Sequence, residues 1–155
     1  MATYLSAELS GVNATANQTA AVSASYKPRA TVYGARVKRL RATFTLGSTA
    51  VTTSDVLQVG NLPAGATFAF GIITASATMG ASATLAIGNA SSTGKYRAAA
   101  TFTSADTPTL FGLTAAVGAA DPALSAEETV IVTIGTASLP TSGTLVIDLY
   151  YSMPN

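Results

Sequence analysis

Histidine and cysteine, the side chains that most often serve as bases, nucleophiles and metal ligands near neutral pH, are both absent from this 155-residue chain. Chemistry would have to come from seven acids and eight Lys and Arg residues. Glu127 and Glu128 form the only acidic doublet. Strand neighbours point to opposite faces, so the two make a poor acid–base or metal pair. A glycosidase-type pair of carboxyls that meet in space stays open, but there is no Trp to line a sugar cleft. Gly47-Ser48-Thr49 and Gly94-Lys95 lack the further glycines of a phosphate-binding loop. These residues point away from an enzyme, and they call for no cofactor and no metal.

Binding is the better-supported chemistry. Six of the eight basic residues, Lys27, Arg29, Arg36, Lys38, Arg39 and Arg41, lie within fifteen positions that hold no acid. With Tyr26 and Tyr33 beside them they could grip phosphate. Yet the net charge is only +1. No basic residue follows Arg97, whereas Asp106, Asp121, Glu127, Glu128 and Asp148 all do. Such a separation of sign suits contact between protein subunits better than polyanion binding. The six cations are therefore candidate interface residues. The plainer alternatives are a solvated face or pairing within the chain. Only 10% of residues are charged, and Ala, Ser and Thr dominate the rest. A free monomer would more often carry more charge for solubility, so the composition favours an assembly component, a homo-oligomer.

The elements that must position these residues are strands. Asp55 to Ser76 is the best-specified stretch: a short apolar run ends at Gly60, Leu62-Pro63-Ala64-Gly65 makes a turn, and a β-type run follows. There Phe68, Phe70 and Ile72 alternate with Thr67, Ala69 and Gly71, predicting one large face and one small. From Leu40, the residues Leu40, Ala42, Phe44 and Leu46 alternate with Arg39, Arg41, Thr43 and Thr45. Shorter strands are expected over 82–87 and 95–103, with a brief edge strand at 109–113. The segment 129–134 is apolar at both parities, as a strand covered on both faces would be. In 144–151, Leu145, Ile147, Leu149 and Tyr151 share one face while Asp148 and Tyr150 share the other. One helical turn is expected from Asp121-Pro122 through Ala126. Seven to nine strands joined by Gly, Pro, Ser and Asn turns predict an all-β, antiparallel β-sandwich of jelly-roll type over residues 31–155.

Residues 1–30 carry few large apolar side chains and cannot bury enough surface to fold by themselves. They read as a disordered tail or as an extended arm that orders against a neighbour. No run approaches the ~18 apolar residues of a membrane helix. The first residues lack the basic and apolar regions of a signal peptide, which fits a product used without secretion.

Three stretches together resemble a family. They are Tyr33-Gly34-Ala35-Arg36-Val37-Lys38 leading into a strand, Asp55-Val-Leu-Gln-Val-Gly60-Asn-Leu-Pro63-Ala-Gly65-Ala66, and the closing Gly143-Thr-Leu-Val-Ile-Asp-Leu-Tyr-Tyr151 strand. Following a Ser/Thr/Ala-rich start, they resemble small structural proteins of tailed bacteriophages of the head decoration, or cement, type. The resemblance spans roughly residues 30 to 151. It implies a β-sandwich that oligomerises, often as a trimer, and binds the major capsid protein on the outer surface of a phage head. It also implies a protein made in the host cytoplasm and carried in the virion, with no catalytic residues, no cofactor, and neither nucleic acid nor membrane as partner. Tail and head–tail connector components share such compositions, and a carbohydrate-binding β-sandwich using the six Tyr is a further alternative.

Overall fold

The computed structural model describes residues 36–53, 55–113 and 123–153. They form eight strands and, among the described residues, no helix. The strands are β1 (Arg36–Leu46), β2 (Val56–Leu62), β3 (Thr67–Ala75), β4 (Thr84–Gly88), β5 (Arg97–Thr101), β6 (Thr109–Phe111), β7 (Glu128–Gly135) and β8 (Gly143–Met153). One sheet, sheet A, runs in the order β1-β8-β3-β6; the other, sheet B, runs β2-β7-β4-β5. Every pairing is antiparallel. The pairs β1 with β8, β2 with β7, β3 with β6 and β4 with β5 are nested, as in one long ribbon rolled over on itself. This is jelly-roll wiring, and the expected antiparallel sandwich is what the chain adopts.

Alternation fills the core from both sheets. Leu145, Ile147 and Leu149 of β8 and Ile73 of β3 meet Val130, Val132 and Ile134 of β7 and Leu85 and Ile87 of β4, all buried. Phe68, Met79, Tyr96 and Phe102 close the ends of this layer. The rings of Phe68 and Tyr96 meet at 4.3 Å between centroids. Where the two sheets meet at β1 and β2, Leu40 packs over Gly60. A Cβ at Gly60 would lie 2.9 Å from Leu40 Cδ1, and its φ of 148° is one that side-chain-bearing residues avoid.

One expectation holds with a difference, and three need correction. The run around Pro63 does turn, with Gly65 at φ 80° and Ala66 N–H donating to the Pro63 carbonyl at 3.1 Å. However, the strands it joins lie in different sheets, so it is a crossover between layers. Phe68, Phe70 and Ile72 do not share a face. A β-bulge between Phe68 and Phe70 inserts one residue, so Phe68 points inward and then Gly71, Ile73 and Ala75 do, leaving Phe70 and Ile72 outside. β7 is covered on one face only: Thr129 is exposed and Ile131 half-buried, because a two-layer sandwich leaves the outer side of each sheet open. Residues 123–126 are irregular and not helical; Asp121 and Pro122 lie outside the described residues. The expected arm, residues 1–30, and the boundary at residue 31 also lie outside them.

The edge strand β6 is held by one aromatic ring. Phe111 pairs with Gly71, and a Cβ there would stand 2.2 Å from Phe111 Cζ. The ring occupies the space that Gly71 leaves, and it stacks against Phe68 at 6.4 Å. Gly71→Val should therefore expel the Phe111 ring and cost about 1–3 kcal/mol, the usual penalty for overpacking. Hydrogen exchange should show the β6 amides losing protection while β8 keeps its own. Unchanged β6 protection would contradict this account.

Candidate functional site

Two polar clusters stand out, one on the outer face of sheet A and one at an end of the sandwich. On sheet A, the register sets Arg41 opposite Asp148 and Arg39 opposite Tyr150. Arg41 makes a two-pronged contact: Nε donates to Asp148 Oδ1 at 2.8 Å and Nη2 donates to Oδ2 at 2.7 Å. Arg39 Nε lies 3.8 Å from Oδ1, an ion pair beyond hydrogen-bond length. Asp148 itself is only 5% exposed. Hydrogen bonding and charge from Arg41 outweigh burial and hold its carboxyl below the usual range; the same contact raises Arg41. Beside this pair the Phe70 and Tyr150 rings stack at 4.7 Å with 19° between their planes.

The second cluster centres on Glu128, at the start of β7. Its Oε2 accepts from Lys95 Nζ at 2.5 Å and from Asn89 Nδ2 at 2.8 Å, and its Oε1 accepts from the Tyr96 hydroxyl. Burial alone would push this carboxyl up. The bonds from Lys95, Tyr96 and Asn89, with the Lys95 charge, more than offset it and hold Glu128 low. Burial first, and then the Glu128 contact, drive the Tyr96 phenol far above its ordinary value. Asn89 Oδ1 in turn accepts from the Ser91 and Ser92 amides at 3.0 and 2.7 Å, which shapes the β4–β5 loop. Gly88 is required there, since a Cβ would lie 2.1 Å from the Ser92 carbonyl oxygen. A cavity of about 580 Å³ opens beside the cluster, walled by Phe68, Leu113 and Leu124.

Chemically, each cluster is largely self-neutralised. Glu128 accepts three hydrogen bonds, and both Asp148 oxygens are engaged by Arg41. Glu127 and Glu128 diverge as the strand reading requires: Glu127 accepts from Asn61 Nδ2 at 2.8 Å, away from the Glu128 partners. Among the described residues no group of three or more acids, His or Cys could hold a metal ion. Arg97 also turns inward, donating to the carbonyls of Leu85, Ala100 and Thr101.

The candidate interface cations separate into sets. Lys27 and Arg29 lie outside the described residues. Arg39 and Arg41 share the outer face of sheet A. Arg36 and Lys38 carry the parity of Leu40, yet they are exposed, because β1 begins four residues before Leu40 and overhangs the core. No described carboxylate lies within ion-pair distance of either. Sequence reasoning did not foresee the Asp148 clamp, the Phe70–Tyr150 stack or the Glu128 cluster. A lone acid in an otherwise apolar strand was the visible signal for Asp148; its partner depends on register.

No family model matches the chain, and no curated protein does. Solved structures do. A chain of the cyanophage Pam1 capsid asymmetric unit aligns with a TM-score of 0.57 at 21% identity, over 77% of this chain and 84% of that one. A chain of the capsid of Ralstonia phage GP4 aligns at 0.56 and 19%, over 77% and 86%. A chain of the acid-stable capsid of Helicobacter pylori bacteriophage KHP30 aligns at 0.56 and 12%, over 77% and 89%. This fold is found in phage capsids. Each alignment spans most of the capsid chain as well as most of this one, so the likeness is between whole sandwiches.

The two carboxylates predict an acid limb of stability. Their folded-state values lie below those of the unfolded chain. The stabilisation is therefore complete above the unfolded carboxylate range and is lost as pH falls from about 5 through the folded values. Tyr96 has the opposite sign: its contribution holds below about pH 10 and is lost above it. Tm should be level between pH 6 and 9 and fall on both sides. Glu128→Gln should lower Tm at pH 7 and flatten the acid limb. A variant whose acid limb matched that of the parent would remove Glu128 from this role.

Proposed function

We propose that this chain is a virion structural protein of the decoration, or cement, type, which binds the outer surface of a phage head and stabilises the shell. The observation that carries the reading is the likeness of its fold, over 77% of its length, to chains of three phage capsids. Its partners are the major capsid protein and further copies of itself, most simply as a trimer; it acts without catalysis. It is made in the host cytoplasm and ends on the capsid surface. Composition supports this reading, because a sandwich with only 10% charged residues carries little of the charge that keeps monomers apart.

The basic strand supplies the electrostatic part of the contact. Arg36, Lys38 and Arg39 project from the exposed start of β1 and can meet carboxylates on a neighbouring surface. Arg41 is a different case, since it is tied to Asp148 within the chain. Replacing Arg41 would strip a buried carboxylate of its two hydrogen bonds and test folding more than binding.

Expanded capsids prepared without this protein, mixed with the purified full-length chain and imaged by electron microscopy, should gain ordered density on their outer surface. Light scattering of the free protein in moderate salt should report a multiple of 15.5 kDa. Lys38→Glu with Arg39→Glu should leave circular dichroism unchanged and weaken capsid attachment, and added salt should weaken attachment of the parent chain in the same direction. Capsids that stay bare, with density instead at the tail or neck of the particle, would replace the decoration reading by that of a tail or connector component.

A further inference from the structure

The β4–β5 loop brings an amine and an amide to one carboxylate oxygen. Lys95 Nζ and Asn89 Nδ2 both donate to Glu128 Oε2, at 2.5 and 2.8 Å. The backbone converges in the same way. The N–H groups of Asn89 and Lys95 both donate to the Ser92 carbonyl, at 3.0 and 3.1 Å. The main chain therefore holds the two residues at one point, and Glu128 holds their side chains at another.

The direction of the Asn89 amide follows from its partners. A carboxylate only accepts and a backbone N–H only donates, so the NH2 group faces Glu128 and the carbonyl oxygen faces the loop. That oxygen accepts from the Ser91 N–H at 3.0 Å, from the Ser92 N–H at 2.7 Å and from the Ser91 hydroxyl at 3.0 Å. Three donors thus meet at the atom where negative charge develops when a nucleophile attacks an amide carbon. The surroundings are partly shielded from water. The Lys95 and Glu128 side chains are 28% and 14% exposed, and Nζ lies 5.1 Å from the centre of the buried Tyr96 ring. An ion pair that only fastened the loop would need Lys95 and Glu128 alone. The amide nitrogen on the same oxygen, and the three donors on its carbonyl, are what a transfer reaction requires.

We propose that Lys95 and Asn89 condense to an isopeptide bond within each chain, with Glu128 carrying the proton. Lys95 Nζ gives a proton to Glu128 Oε2, and its freed electron pair forms a bond to Asn89 Cγ. Charge moves onto Oδ1, among the Ser91 and Ser92 donors. Glu128 passes its proton to Nδ2, the Cγ–Nδ2 bond breaks, and ammonia leaves with that electron pair. Nζ then gives up a second proton, which converts the ammonia to ammonium. One lysine ammonium and one primary amide become one secondary amide and one ammonium ion, with no oxidant, reductant or co-reactant. Glu128 is ionised at neutral pH, so it is free to accept the first proton, and it ends as the carboxylate it began as. The site supplies proximity more than base strength, since both nitrogens already touch the oxygen that carries the proton. The product closes the β4–β5 loop into a covalent ring beside β7. It is a single event in each chain, and it stands independently of the decoration reading.

The test is the intact mass of the purified full-length chain, incubated folded for several days and then denatured. The wild type should weigh less than its sequence by the mass of one ammonia. Trypsin should no longer cut after Lys95, because the side chain has lost its charge, and fragment spectra should show no breaks between Asn89 and Lys95. Glu127→Gln alters the neighbouring acid, which bonds Asn61 instead, and should show the same loss. Lys95→Arg and Glu128→Gln should keep the full sequence mass. A wild type that keeps its full mass and is cut after Lys95 would overturn the proposal and leave a plain ion pair. Loss of ammonia that persists in Lys95→Arg would assign it to a succinimide at an asparagine and overturn the proposal as well. Conversion of Asn89 to Asp in the wild type would make water the nucleophile, with the same consequence. Loss of ammonia at the parent's rate in Glu128→Gln would overturn the proton route.

Discussion

The register of β8 between β1 and β3 is the constraint on which the rest of sheet A depends. β8 pairs with β1 without interruption from Arg36–Met153 to Leu46–Gly143, and with β3 on its other side. Its inward residues Leu145, Ile147 and Leu149 are fully buried, while Asp148 sits between the last two and faces out. A slip of one residue would bring Asp148 into an apolar core and push the three aliphatic side chains toward water. Arg41 can engage both oxygens of Asp148 only in the observed register, so packing on one face and ion pairing on the other specify the same alignment. Agreement between the two faces is what makes the alignment unique.

The bulges adapt a regular ladder to a closed sandwich and to an outer surface with its own composition. The register shift beside Ala69 keeps Phe68 in the core against Tyr96 and sends Phe70 outside against Tyr150. Without it, Phe68 and Phe70 would compete for one side, and Gly71 could not receive the Phe111 ring. The shift at Gly60 similarly lets Leu40 cross from one sheet to the other at the open edge of the roll. The glycines at both places serve close approach, and each is matched by one large side chain from another strand.

Among the described residues, charged side chains tie neighbouring elements together at two places. Lys95 and Glu128 lock the β4–β5 loop to β7, Arg41 and Asp148 lock β1 to β8, and Arg97 is bound to carbonyls. The remaining described cations gather at the exposed start of β1. Of these, Arg39 shares the aromatic outer face of sheet A with Arg41, while Arg36 and Lys38 carry the opposite parity. The outer face of sheet B is built largely from Thr, Ala, Gln and Asn. That asymmetry in side-chain type distinguishes the two layers.

The sequence by itself determined the class of fold, and the reason is local. A strand has a side-chain period of two, and Leu40 to Leu46 and Leu145 to Leu149 keep that period without a break, so their buried faces were readable directly. Turn chemistry at Pro63 and Gly65 marked where strands ended. The basic cluster was also plain, because charge is a property of residue type. Tertiary structure alone decided what lay opposite what. A bulge costs one residue and has no fixed signature in composition, so the reversal of Phe70 and Ile72 could not be read from alternation. The partners of Asp148 and Glu128 come from strands or loops 107, 33, 32 and 39 positions away, through bonds to Arg41, Lys95, Tyr96 and Asn89. Which carboxylate meets which cation is set by how the ribbon rolls up, and that depends on every strand at once.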